Sequence, residues 1–237
     1  MPTAPYIIYN GVNSSDLGLR VESMSSFPPP VRQYDYYTVP GMDGQLVVDR
    51  ETYEDVTIEV RFNLMHGAST AAVLNAWLTG TGELTHSDDP TVHYKVKAIH
   101  SNARYRYRPM GRDYDSFSVI FVCEPYRYAA TVHITPTTSG TTGQTTFTNT
   151  HNTYTLPRIT VSGTNPMTVT VNTDTVVTIA SPTAMIDSDA KIVFSGSTNL
   201  NTKTTLVGDW PIFRPGENTV QWTNVTNIDI VPRWRDL

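Results

Sequence analysis

The sequence predicts a mostly β protein: an N-terminal α+β domain of antiparallel sheets with one helix, followed by a C-terminal β-sandwich. Three observations lead there. Strict apolar–polar alternation fills several stretches of the first 130 residues, and a single stretch among them has helical spacing. The last 107 residues then hold 27 threonines and only 13 charges, whereas the first 130 carry the other 26 charges. That change of composition divides the chain into domains 1–130 and 131–237.

In "VTIEVRFNL", Val56, Ile58, Val60, Phe62 and Leu64 share one face and Thr57, Glu59, Arg61 and Asn63 the other, the two-residue period of a half-buried strand. "HYKVKAIH" and "DSFSVIFVCE" repeat it. Cys123, within the last of these, is expected to be a small buried hydrophobe, and as the one cysteine it excludes an internal disulfide and a multi-cysteine metal site. Between the strands, Ser69 is the expected N-cap of a helix whose stripe is Val73, Leu74, Trp77 and Leu78, with Gly80 stopping it. Asp88 and Asp89 stand before Pro90 and near His86. Asx residues before proline form turns by bonding nearby amides, so a turn is expected there, not a catalytic carboxylate pair.

Upstream lies "VPGMDGQLVVD", two apolar strand-like segments around a loop with Gly41 and Gly44. Glycine supplies backbone angles that other residues resist, so Pro40, Gly41, Met42, Asp43 and Gly44 are expected to form the tight tip of a protruding hairpin. The charged run from Asp49 to Arg61 is expected to alternate outward from a buried strand face.

In the second domain, "PRITVSG", "MTVTVNT", "TVVTIA", "KIVFS", "TTLVG", "NTVQWT" and "NIDIVPRW" are seven short β-branched runs separated by turn residues, the spacing of a sandwich. The threonine-rich junction before them is expected to pair in part as a first strand, with Phe147 and Tyr154 to bury.

Several function classes find no support. A net charge of −5 gives no basic footprint for nucleic acid or an anionic membrane. No segment reaches the ~18 apolar residues of a span, and "MPTAPYIIYN" has no signal-peptide pattern, so a soluble chain made in the cytoplasm is expected. G-x-S-x-G, P-loop and dinucleotide-binding patterns do not occur, and the histidines at 66, 86, 93, 100, 133 and 151 have no zinc spacing. A glycosidase needs two carboxylates about 5 to 10 Å apart, and the second domain has seven scattered acids. No enzyme activity, cofactor or metal is expected.

Two stretches invite a binding reading. "RYRYRPMGRDYD" alternates Arg104, Arg106 and Arg108 with Tyr105 and Tyr107, but a strand would put arginines and tyrosines on opposite faces, separating the partners that a stacking surface must combine. In "GDWPIFRPGENTVQW", Trp210 and Trp222 either fill the sandwich around a Pro215–Gly216 turn or offer indole faces to a sugar.

The order of these features resembles the distal tail protein (Dit) family of long non-contractile phage tails. The resemblance rests on "YNGVNSSDLGLRV", then "VPGMDGQLVV" with "YEDVTIEVRF", then "AWLTGTGEL", "HSDDP" with "YKVKA", and "SFSVIFVCEPYRY". "LPRITVSG", "MIDSDAKIV" and "WPIFRPGENTVQW" resemble its galectin-like sandwich. The resemblance implies a structural hub at the tail tip of the virion. Six copies would close into a ring through their N-terminal domains, joining the tail tube protein to the tail-associated or baseplate protein, with a receptor-binding protein as a further candidate partner and the genome passing through the lumen. Subunit contacts are expected from Pro40 to Gly44 and from Arg104, Tyr105, Arg106 and Tyr107. The alternative is a carbohydrate-binding protein using the sandwich, with Trp210 and Trp222 as contacts.

Overall fold

The computed structural model describes residues 5–25, 28–65, 70–101, 116–137 and 140–237. The chain forms two compact units, Met1–Tyr128 with Leu237, and Ala129–Asp236.

The strands of the first unit are β1 (Ile7–Tyr9), β2 (Val12–Asn13), β3 (Leu19–Met24), β4 (Arg32–Tyr37), β5 (Leu46–Tyr53), β6 (Val56–Leu64), β7 (Gly82–His86), β8 (Asp89–Ser101) and β9 (Ser116–Ala129), with helix α1 (Ala71–Trp77) between β6 and β7. Seven of them form a sheet ordered β2-β1-β7-β8-β9-β6-β3, while β4 and β5 pair as a separate two-stranded ribbon. The alternation in β6 does what its pattern predicts. Val56, Ile58, Val60 and Phe62 are buried and lie opposite Cys123, Phe121, Val119 and Phe117 of β9, which are buried too. Burial pushes the Cys123 thiol up to about 12, so it packs as a hydrophobe.

Helix α1 covers the core with Leu74 and Trp77. The Trp77 indole stands edge-on to Tyr9 at 6.3 Å and to Phe62 at 6.2 Å, and its N–H donates to the Tyr9 carbonyl at 3.2 Å. The expected stripe is wrong at one place: Val73 is 46% exposed. Leu74, Trp77 and Leu78 follow the i, i+3, i+4 spacing of one face, and Val73 sits about 100° round from Leu74 on a helix too short to bury a wider stripe. Ser69 lies outside the described residues; Thr70 holds the N-cap position without a side-chain cap bond.

The second unit contains β10 (Thr142–Asn149), β11 (Arg158–Val171), β12 (Thr175–Ile179), β13 (Thr183–Asp187), β14 (Ile192–Ser195), β15 (Thr198–Asn199), β16 (Thr204–Val207) and β17 (Gly216–Val231). Two pairs of short runs in the sequence turn out to be single strands: "PRITVSG" continues into "MTVTVNT" as β11, and "NTVQWT" into "NIDIVPRW" as β17. The two pair along their length with register shifts around Gly163. Their first and last halves therefore serve different neighbours. Arg158–Ser162 pairs with β13, and Met167–Val171 pairs with β12. A Cβ on Gly163 would lie 2.0 Å from the Asn224 carbonyl oxygen, so the bulge brings backbone against backbone. Alternate residues on both sides of it, Ile159 and Val161, then Met167, Val169 and Val171, point into one core. Phe147 on β10 packs against that core, but Tyr154 is 44% exposed, its ring beside the Arg235 guanidinium at 4.9 Å instead of buried.

Leu74→Ala is expected to cost about 3 kcal/mol and Val73→Ala less than about 0.5 kcal/mol in urea denaturation monitored by tryptophan fluorescence. Gly163→Ala is expected to destabilise the second unit by about 2 kcal/mol, because the backbone opposite it must move; equal midpoints for Gly163→Ala and the parent chain would contradict that.

Candidate functional site

A two-stranded ribbon in water buries little, and no residue of β4 or β5 is fully buried. All residues from Tyr36 to Thr52 are exposed. Cross-strand partners share a face, so Tyr36 with Val47 and Tyr34 with Asp49 lie on one side, and Tyr37 with Leu46 and Asp35 with Val48 on the other. Each face thus carries aromatic and aliphatic side chains in solvent, with Tyr36 at 61% and Val47 at 52% exposure. The charged run was expected to alternate outward from a buried face from Asp49 onward. That holds for β6 and fails for β5, because β5 has no buried face.

What shapes the ribbon is its own ladder and one ion pair per face. Arg32 Nε donates to Asp49 at 2.9 Å and Arg50 Nε to Asp35 at 2.8 Å. These guanidinium bonds hold both carboxyls below their ordinary range. At the base, Glu51 has a positive φ of 57° and its N–H donates to Asp49 at 2.8 Å, where the register shifts between Arg32 and Tyr34. The expected tip residues Pro40, Gly41, Met42, Asp43 and Gly44 do form the connection between β4 and β5 and are all exposed. Gly41 and Gly44 have φ of 82° and 85° with no atom within 4 Å of a built Cβ, so backbone angle alone calls for glycine. Arg104, Tyr105, Arg106 and Tyr107 lie outside the described residues.

Of the paired aspartates, Asp88 lies in the turn between β7 and β8 and Asp89 is the first residue of β8. The Asp88 N–H donates to His86 Nδ1 at 2.9 Å, and the Asp89 carboxylate accepts from Thr91 at 2.6 Å. Among the described residues no group of three or more His, Cys, Asp and Glu is placed to hold a metal ion. The two tryptophans part company: Trp222 is 3% exposed, with its ring where a Gly143 Cβ would need to be, so it has no face for a sugar. Trp210 is only partly buried and lines a cleft.

No family model and no curated protein matches the chain. Solved structures do. The crystal structure of the phage SPP1 Dit protein, described as a hub of the adsorption apparatus in phages that infect Gram-positive bacteria, superposes with a TM-score of 0.67 over 97% of this chain and 98% of that one, at 16% identity. The chain has a Dit-like fold. A chain of the phage p2 baseplate in its activated conformation gives 0.55 at 9% identity, covering 96% of both chains. Such low identity conveys the fold and no particular residue, and the Dit-like fold here is the mostly β arrangement that the sequence predicted.

Burial of His86 and His93 depresses both imidazole pKa values below 6.5. The unfolded chain takes up those protons as pH falls through 6.5 while the folded chain does not, so the stabilisation is complete above 6.5 and is lost on acidification towards the folded values. The melting temperature of the first unit is therefore expected to fall between pH 7 and pH 5. His86→Asn, whose carbonyl oxygen can still accept from Asp88, should flatten that fall in calorimetric scans.

Proposed function

We propose that the protein is the structural hub of a long non-contractile phage tail tip, located in the virion. One observation carries this reading: the β4–β5 ribbon has apolar side chains exposed on both faces, in a chain with a Dit-like fold over 97% of its length. A ribbon of this kind is incomplete alone, because exposed apolar patches that persist in a folded protein are interaction surfaces. The ribbon's partner is a second copy. The sheet of the first unit ends in β3 on one side and the short β2 on the other, and outer edges are where a neighbour's strands add. A head-to-tail contact repeated by rotation closes a ring, here a hexamer.

In this reading residues 1–130 form the ring, with Pro40 to Gly44 and Arg104 to Tyr107 at subunit contacts, and residues 131–237 form the outward galectin-like domain. One side of the ring meets the tail tube protein, and the other meets the tail-associated or baseplate protein and through it a receptor-binding protein. The net charge of −5 suits a lumen through which DNA slides, because a cationic wall would hold the phosphates. The role needs no catalytic residue and no cofactor.

Light scattering of the purified chain is expected to give the mass of six copies. Tyr36→Asp combined with Val47→Asp should reduce it to one, with unchanged far-ultraviolet circular dichroism, since both side chains are exposed in the folded unit. An unchanged mass for the double variant would remove the ribbon from the interface.

A further inference from the structure

The loops at one end of the sandwich enclose a cleft of about 270 Å³ between the β11–β12 turn and the β16–β17 connection, lined among others by Asn172, Asp174, Asp209, Trp210 and Arg214. A second hollow of about 380 Å³ continues past Asn172 and Arg214 to Glu217 and Gln221. We propose that this cleft binds a neutral saccharide, with the sugar ring against the Trp210 indole and adjacent hydroxyls on the Asp174–Arg214 pair. The inference goes beyond the hub reading and stands without it, since a monomer would carry the cleft as well.

The donor set fits that ligand class. A sugar hydroxyl both donates and accepts, and Arg214 Nη1 to Asp174 Oδ2 at 2.6 Å puts a fixed donor group beside a fixed acceptor group. Both side chains are more than half exposed, so neither is sealed by the contact. Trp210, partly buried against the sandwich core, supplies a large apolar flank of the kind that stacks on the CH face of a pyranose. Three acids, Asp174, Asp209 and Glu217, face one base, Arg214, so the cleft repels phosphate-bearing and carboxylate-bearing polymers.

The walls are fixed before any ligand arrives. Asn172 and Thr173 adopt positive φ of 51° and 64°, and the second is a conformation that a β-branched residue strongly resists. Asn172 is held there by donating to Asn218 Oδ1 at 2.8 Å and accepting from the Thr219 N–H at 2.9 Å, and Asn218 is 1% exposed. Asn218 also fixes the opposite wall: its oxygen accepts from the Arg214 N–H at 2.9 Å and its amide donates to the Arg214 carbonyl at 2.7 Å. Buried Asn218, with half-buried Asn172 bonded to it, thus holds the backbone of both walls. Strained backbone that the surrounding structure holds in place is a feature that clusters at ligand sites.

A larger groove of about 670 Å³ lies on a sheet face of the same unit, lined by Thr160, Thr183, Met185, Phe194, Asn227 and Asp229 among others. Its carboxylate is already engaged by His133 at 3.0 Å and no tryptophan lines it, so it ranks below the loop cleft as a sugar site.

The test uses the full chain and saturation-transfer NMR with lactose, maltotriose and tri-N-acetylchitotriose, and inorganic phosphate, followed by phosphorus-31 line broadening, as the anionic control. At least one saccharide is expected to bind in the millimolar range, with Arg214→Ala and Trp210→Ala each weakening it about tenfold and Thr183→Ala, in the sheet groove, leaving it unchanged. Should Trp210→Ala lose its fold, Arg214→Ala and Asp174→Asn decide. Binding of phosphate in preference to all three sugars, binding of none of them, or binding that survives Arg214→Ala and Asp174→Asn overturns the proposal.

Discussion

A two-stranded β ribbon has two faces and can cover neither with its own side chains. That constraint organises the first unit. The seven-stranded sheet solves it for itself by turning β6 and β9 towards a common core and closing that core with Leu74 and Trp77 of α1. The β4–β5 ribbon does not solve it, and Tyr34, Tyr36, Tyr37, Leu46, Val47 and Val48 remain in solvent. Exposed ion pairs between Arg32 and Asp49 and between Arg50 and Asp35 keep its shape but contribute little to its stability. In the reading proposed above, a neighbouring copy supplies the burial that the ribbon lacks.

The second unit meets the same constraint differently. Its two longest strands stay paired through a register shift at Gly163, and the two halves of β11 pair with different neighbours, so one continuous pair ties the whole sheet together. Among its described residues the exposed large hydrophobic side chains are Val132, Tyr154 and Val207. The connection between β16 and β17 contributes to the unit's apolar core itself, through the fully buried Phe213 and the partly buried Trp210. The Asn172–Asn218 pair adds a polar tie between these loops: the two amides satisfy one another and the neighbouring backbone.

Much of this was legible because period and burial are tied by simple geometry. The alternation in "VTIEVRFNL" and "DSFSVIFVCE" and the pair Leu74–Trp77 announce their inward faces without knowledge of the fold. Val73 and Tyr154 were misread for a shared reason: apolar character says that a residue can be buried, and only the neighbours say whether anything is there to cover it. Trp222 and Trp210 are the same residue type twelve positions apart, yet one is sealed over Gly143 and the other flanks a cleft. No pattern in the sequence separates them.

The amino-acid sequence by itself determined the mostly β class, the helix over Leu74 and Trp77, the change of composition near residue 130, and the glycines at 41 and 44 that let a hairpin tip turn. These are local consequences of side-chain period and backbone freedom. Tertiary structure alone decided that β5 has no buried face, that four short runs are two bent strands, and that Asn172 and Asn218 meet across 46 residues to fix a cleft. Each of those depends on which distant segment comes to lie alongside, and a bulge that bends a strand looks in sequence just like a turn that ends one.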